Sequence, residues 1–185
     1  TITAVLKRLI ESFSFGNAMK NGIPVAIIGE PNVGKSTLLN TLLKEEKAIV
    51  SDIAGTTRDA IEDELIIDGV AFRFIDTAGI RETNDLIENI GIKKAYEKAE
   101  NAQLIIFLID SNKFSTSKEV FLSEIATIKN RFPKKRVLVI ANKIDAISTT
   151  EKNEIRADID DILLLSAKEN IGIETLLIHL TSLVN

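Results

Sequence analysis

The run GEPNVGKS at residues 29–36 permits few architectures, because it begins where the apolar segment IPVAII stops and leads directly into the helical pattern STLLNTLLK. A glycine-rich turn of this kind curls the backbone so that successive amide groups point inward, and the helix behind it adds the partial positive charge of its N-terminus. The result is a cradle for phosphate that works only with a strand before it and a helix after it. Gly29 and Gly34 allow the curl, Lys35 reaches the β- and γ-phosphates, and Ser36 offers a hydroxyl to Mg²⁺. Asn32, Val33 and Thr37 complete the stretch expected to contact nucleotide.

The rest of the chain repeats this alternation of short apolar runs and longer helical patterns. Strands are expected at 24–29, 61–68, 70–76, 103–109, 136–141 and 161–165, and helices at 35–44, 88–99, 117–131, 150–156 and 172–184. Asp68-Gly69 between two alternating runs predicts a tight hairpin, so the second and third strands should be antiparallel and the others parallel. Near-continuous apolar runs such as LIIFLI and VLVIA suit a sheet covered on both faces. The expected fold class is therefore α/β: a P-loop NTPase with a mostly parallel six-stranded sheet, an antiparallel second strand and helices on both faces.

Length and composition agree with one domain. The 185 residues are 45% hydrophobic, enough for one core and too few for two full domains. A net charge of −4 advertises no broad basic surface, and the absence of cysteine excludes disulfides, thiolate metal sites and cysteine nucleophiles. No apolar run approaches the ~18 residues that a membrane span requires. A cytoplasmic location without membrane attachment is expected. Val5, Leu6, Leu9, Ile10 and Phe13 recur at helical spacing. Residues 1–21 are accordingly expected to be the helical remnant of an adjoining domain, with the motif-bearing domain at 22–185, and the start at Thr1 suggests a piece of a longer protein.

Three further motifs follow strands. DTAG at 76–79 would hold Mg²⁺ through a water on Asp76 and face the γ-phosphate with the Gly79 amide. NKID at 142–145 reads the base: guanine presents two adjacent donors that the Asp145 carboxylate accepts together, whereas adenine does not. Asn142 would hold neighbouring loop backbone, and the stem of Lys143 would cover the ring. SAK at 166–168 places Ser166, Ala167 and Lys168 beside the base, with the Ala167 amide directed at the guanine carbonyl. GTP is thus favoured over ATP.

SDIAGTTRD at 51–59 is a polar stretch of the kind that responds to γ-phosphate. Thr56 and Thr57 are both hydroxyl candidates for Mg²⁺, with Thr57 preferred, and Arg58 suits either phosphate or a surface pair with Asp59 or Glu62. Many regulatory GTPases carry a water-orienting glutamine after the DTAG glycine; here Ile80 occupies that place. Glu82, Asp85 and Glu88 are acidic candidates for the task, although a solvated helix face explains each of them as well.

Taken together, GEPNVGKS, SDIAGTTRD, DTAGIRETND with IENIGI, NKID and SAK resemble the G domain of the MnmE (TrmE) family of tRNA-modification GTPases, a Ras-like domain, over roughly residues 20–185. The segment from Arg81 to Ile92 distinguishes this likeness from the ribosome-assembly GTPases Der and Era, which share the earlier motifs and remain the alternative. The resemblance implies catalytic roles for Lys35 and Thr57, and for Glu88 as a residue that positions water through a second water. It also implies a K⁺ ion on Asn32 with the backbone of Ser51 and Ile53, and a transient homodimer that closes over it. In the family, GTP/GDP cycling serves tRNA wobble-uridine modification with the partner MnmG. This chain would supply the switch alone.

Overall fold

The computed structural model describes residues 22–49, 63–75 and 96–183, with the side chains of 46–49 excepted. Six strands form one sheet: β1 (Ile23–Gly29), β2 (Asp63–Ile67), β3 (Val70–Phe74), β4 (Leu104–Asp110), β5 (Arg136–Asn142) and β6 (Leu163–Leu164). Their spatial order is β2-β3-β1-β4-β5-β6. Among the described strands only the β2–β3 pairing is antiparallel. The turn between them has positive φ at both central residues, 49° at Asp68 and 79° at Gly69, as the two-residue hairpin requires.

Among the described residues four helices cover the sheet, α1 (Lys35–Ile49), α2 (Phe114–Arg131), α3 (Thr149–Asp158) and α4 (Ile173–Ser182), with further helical residues at 96–101. The alternation of side chains along each strand divides the core in two. Val25, Ile27, Ile106, Leu108 and Ile140 pack with Leu38, Leu42, Leu176 and Leu180 of α1 and α4. Ala26, Ile28, Ile105, Phe107 and Val139 pack with Phe121, Ile125, Ile128 and Ile155 of α2 and α3. Every residue of β4 is buried, which explains its unbroken apolar run.

Some boundaries differ from those expected. Helix α2 begins at Phe114, and Ser117, where the helix was expected to start, marks an internal break with φ −125° and ψ 19°. Helix α1 runs five residues further than its apolar stripe. Strand β6 is only two residues long because Asp161 turns the chain with φ 58°, leaving the sheet to be joined at Leu163. Strand β2 stops at Ile67 because Asp68 belongs to the turn, and β3 ends at Phe74. Residues 96–101 supply the described end of the helix expected at 88–99, and residues 1–21 lie outside the described segments. Among the described residues no helix is long and apolar enough to cross a membrane.

Candidate functional site

The three motifs within the described residues emerge from the C-terminal ends of the parallel strands β1, β5 and β6, with β4 between the first two, at the edge where open α/β sheets gather ligands. The loop after β1 forms a concavity lined by Asn32, Gly34, Lys35, Ser36 and Thr37. Two glycines set its shape. A Cβ on Gly29 would lie 2.4 Å from the Leu108 carbonyl of β4, and one on Gly34 would lie 2.2 Å from the Asn142 side-chain nitrogen. Each position therefore demands close approach as well as unusual backbone angles. Asn32 enters the loop with φ 60° and an exposed side chain. Val33 turns its side chain into the core, so only its backbone faces the loop interior.

Lys35 folds its ammonium into the same loop, donating to the Gly29 carbonyl at 2.9 Å and the Glu30 carbonyl at 2.7 Å. Burial, together with the positive charge of Lys98 and against the attraction of Glu30, lowers its pKa from the usual 10.5 to about 8. A phosphate group at this place would supply the missing counter-charge.

Asn142 joins the three loops. Its side-chain nitrogen donates to the Val33 carbonyl at 2.9 Å, and its oxygen accepts from the Ala167 amide at 3.0 Å. Thr41 of α1 donates to the Ala167 carbonyl at 2.9 Å, tying the same residue to the helix behind the phosphate loop. The 166–171 loop is closed on itself by paired backbone bonds between Ser166 and Ile171 at 2.9 and 3.0 Å. The Ala167 amide, expected to serve a guanine carbonyl, is thus engaged by Asn142, and a base carbonyl there would share that donor.

Asp145 stands exposed in the short helical turn Ile144–Ala146, and a hydrogen bond from the buried Ser166 is the main cause that holds its carboxyl below the usual range. An ionised, accessible carboxylate has the acceptor character that a guanine edge requires. Lys143 adopts the left-handed conformation, φ 67° and ψ 32°, and its ammonium meets Asp110 at 2.6 Å. Lys168 points outward and pairs with Glu169 at 3.3 Å.

The structure thus brings together Asn32, Val33, Gly34, Lys35, Ser36 and Thr37 with Asn142, Lys143, Asp145, Ser166 and Ala167. Thr57, Asp76, Gly79, Glu88, Ser51 and Ile53 lie outside the described residues, as do Thr56, Arg58, Ile80, Glu82 and Asp85. Two participants had gone unnoticed in the sequence, Thr41 and Asp110. Thr41 bonds a residue 126 positions away, which leaves no local signature. Asp110 does carry one: it ends an apolar strand in register with Asn142 of the adjacent strand.

Comparison with known proteins places this geometry in context. The family described as 50S ribosome-binding GTPase matches residues 24–143. The tRNA modification GTPase MnmE of Flavobacterium psychrophilum is 61% identical over 184 residues, and that of Flavobacterium johnsoniae 60% identical over 188. Both alignments take in the whole chain, which spans about 40% of the length of either relative. Among solved structures, the FeoB G-domain from Methanococcus jannaschii superposes with a TM-score of 0.53 at 24% identity, over 88% of this chain and 97% of that one. At that identity the likeness concerns the fold alone.

Proposed function

The chain belongs to the GTPase family described as 50S ribosome-binding GTPase and is similar throughout its length to part of the tRNA modification GTPase MnmE, and on that premise we propose that it is the GTP-driven switch of a tRNA-modifying protein. The observation that carries this is the Asn142 bridge, which fastens a base-reading loop to a phosphate-binding loop at one sheet edge. Phosphates occupy the cradle of residues 29–36, where Lys35 releases its carbonyl partners to pair with them. The base lies between the stem of Lys143 and the 166–168 loop, with its two donors on Asp145.

The residues suit a divalent cation that neutralises phosphate charge: Ser36 supplies one hydroxyl at the rim of the concavity, and Thr57, with Asp76 through a water, would complete the protein's share. A K⁺ ion on Asn32 and the backbone of Ser51 and Ile53 would place fixed positive charge at the position an arginine finger serves elsewhere. Glu88 orients the attacking water through a second water, since Ile80 has no polar group for the task. Two such domains meet face to face in a transient homodimer to enclose the cation. Loss of γ-phosphate frees residues 51–59 and 76–79, and that release drives work on tRNA wobble uridine with the partner MnmG in the cytoplasm.

Turnover of GTP in K⁺ against Na⁺ at equal ionic strength tests the mechanism, alongside Glu88→Ala. The expected result is severalfold faster hydrolysis in K⁺, and loss of hydrolysis with retained GDP affinity in the variant. Equal rates in the two salts remove the cation. Undiminished turnover in the variant removes the glutamate. The family description favours a second reading, a ribosome-assembly GTPase of the Der or Era kind. Nucleotide-dependent co-sedimentation of the chain with ribosomal subunits would support it over the first.

A further inference from the structure

Asp110 ends β4 directly beside Asn142, its partner in the β4–β5 register, so a carboxylate stands at the root of the base-reading loop. Its side chain is only 9% exposed, and both oxygens are occupied. One accepts from the backbone and side-chain nitrogens of Asn112, each at 3.0 Å, which starts the turn Ser111–Lys113. The other accepts from Lys143 at 2.6 Å. Burial alone would favour the neutral acid, yet the hydrogen bonds from Lys143 and Asn112 hold this carboxyl below its usual range.

Lys143 is the residue whose position this arrangement decides. A non-glycine residue in the left-handed region pays a backbone cost, and its long side chain has many rotamers to choose from. The ion pair at the C-terminal ends of β4 and β5 selects one rotamer. It draws the side chain from the end of β5 back toward the end of β4, where Asp110 stands. A stem fixed there is an apolar surface for one face of a flat ring, while its ammonium is kept from the ring by Asp110.

We propose that Asp110 is a positioning residue for guanine-nucleotide binding, acting through Lys143 to hold one wall of the base slot in place before the nucleotide arrives. The proposal rests on the base-site reading given above. It assigns a binding role to a residue outside all five nucleotide motifs, and it makes the wall of the slot depend on a contact spanning 33 positions of chain.

The test is a double-mutant cycle on the 185-residue chain, with the affinity for a fluorescent GDP analogue and the thermal midpoint without nucleotide as readouts. Asp110→Asn preserves shape and an acceptor for Asn112 but turns an amide toward the Lys143 ammonium. It should weaken GDP binding about tenfold, within the coupling seen between contacting residues. In a Lys143→Ala background the same substitution should change GDP affinity less than about twofold, the level at which independent sites add. Equal losses in both backgrounds, or no loss in the first, overturn the proposal, because a purely structural defect would weaken both alike and lower both midpoints. Asp110→Ser, which can serve Asn112 but falls short of Lys143, takes its place in the cycle should Asp110→Asn fail to fold. A wild-type chain without affinity for GDP would sink the base-site reading itself; measurable wild-type binding with additive losses would sink only the role of Asp110.

Discussion

The side-chain nitrogen of Asn142 donates to the carbonyl of Val33 at 2.9 Å, joining the end of the fifth strand to the loop after the first across 109 positions of sequence. Asn142 is 2% exposed, and its oxygen is engaged by the Ala167 amide, so one buried side chain satisfies backbone groups on two loops. Backbone groups sealed from water without partners are costly, which gives this residue a structural role before any nucleotide is bound.

Asn142→Ala should therefore destabilise the nucleotide-free chain by about 2–4 kcal/mol, the cost of orphaning two buried backbone groups. Chemical denaturation of the two proteins measures it. A change below half a kcal/mol would mean that the loops are held by other contacts.

Gly34→Ala attacks the same junction from the opposite side. The new methyl would sit 2.2 Å from the Asn142 nitrogen at a backbone φ of 104°, and the conformation alone costs about 1–3 kcal/mol. Affinity for GDP should fall at least about tenfold, the equivalent of 1.4 kcal/mol, and the thermal midpoint should drop. Titration calorimetry and a melting curve report both.

Lys35 gives the chain a pH dependence whose sign follows from its lowered pKa. Unfolded, the ammonium titrates near the usual 10.5; folded, near about 8. Between these values the unfolded chain binds more protons, so the contribution of Lys35 to stability rises with pH across that window, and the penalty of burying its charge is fully present below it. Lys35→Met removes the charge and keeps the bulk. The variant should gain stability over the wild type at pH 7, and the gap should narrow as pH rises through 8 toward 10.5. Melting curves of the pair across that range decide the matter. A gap independent of pH would refute the burial argument.

Asp145→Asn should weaken GDP binding and favour xanthosine diphosphate, which carries an acceptor where guanine has a donor. Competition between the two nucleotides against a fluorescent analogue measures the reversal. Unchanged preference for GDP would place the base elsewhere.

Much of this architecture was legible in the chain because its signals are local. The paired positive-φ residues Asp68 and Gly69 announced the hairpin, and the unbroken apolar run of β4 announced a strand buried on both faces. The phosphate loop was equally plain, being a turn that only a strand and a helix can frame. What escaped depended on distant partners. The tie from Thr41 to Ala167 exists only once α1 has packed against the sheet. The shortness of β6 follows from a turn at Asp161, a residue type favoured in turns and depleted in strands, whose signal is masked by the apolar run that directly follows it. Ala167 shows a third kind of gap: its motif pointed to the amide as a donor to the base, and only the fold revealed that Asn142 draws on the same amide.

The pairing of β4 with β5 sets Ile106 opposite Leu138, Leu108 opposite Ile140 and, at the far end, Asp110 opposite Asn142. The two strands act as a ruler on which hydrocarbon and polar chemistry are marked off together. Removing a single residue from the middle of β5 would turn its interior side chains to the opposite face and carry Asn142 and Lys143 away from their partners in one step. Loops around the site tolerate changes of length far better than these strands do. Among close relatives of this chain, insertions and deletions should accordingly collect outside 104–110 and 136–142, even though most residues in those stretches never approach a ligand.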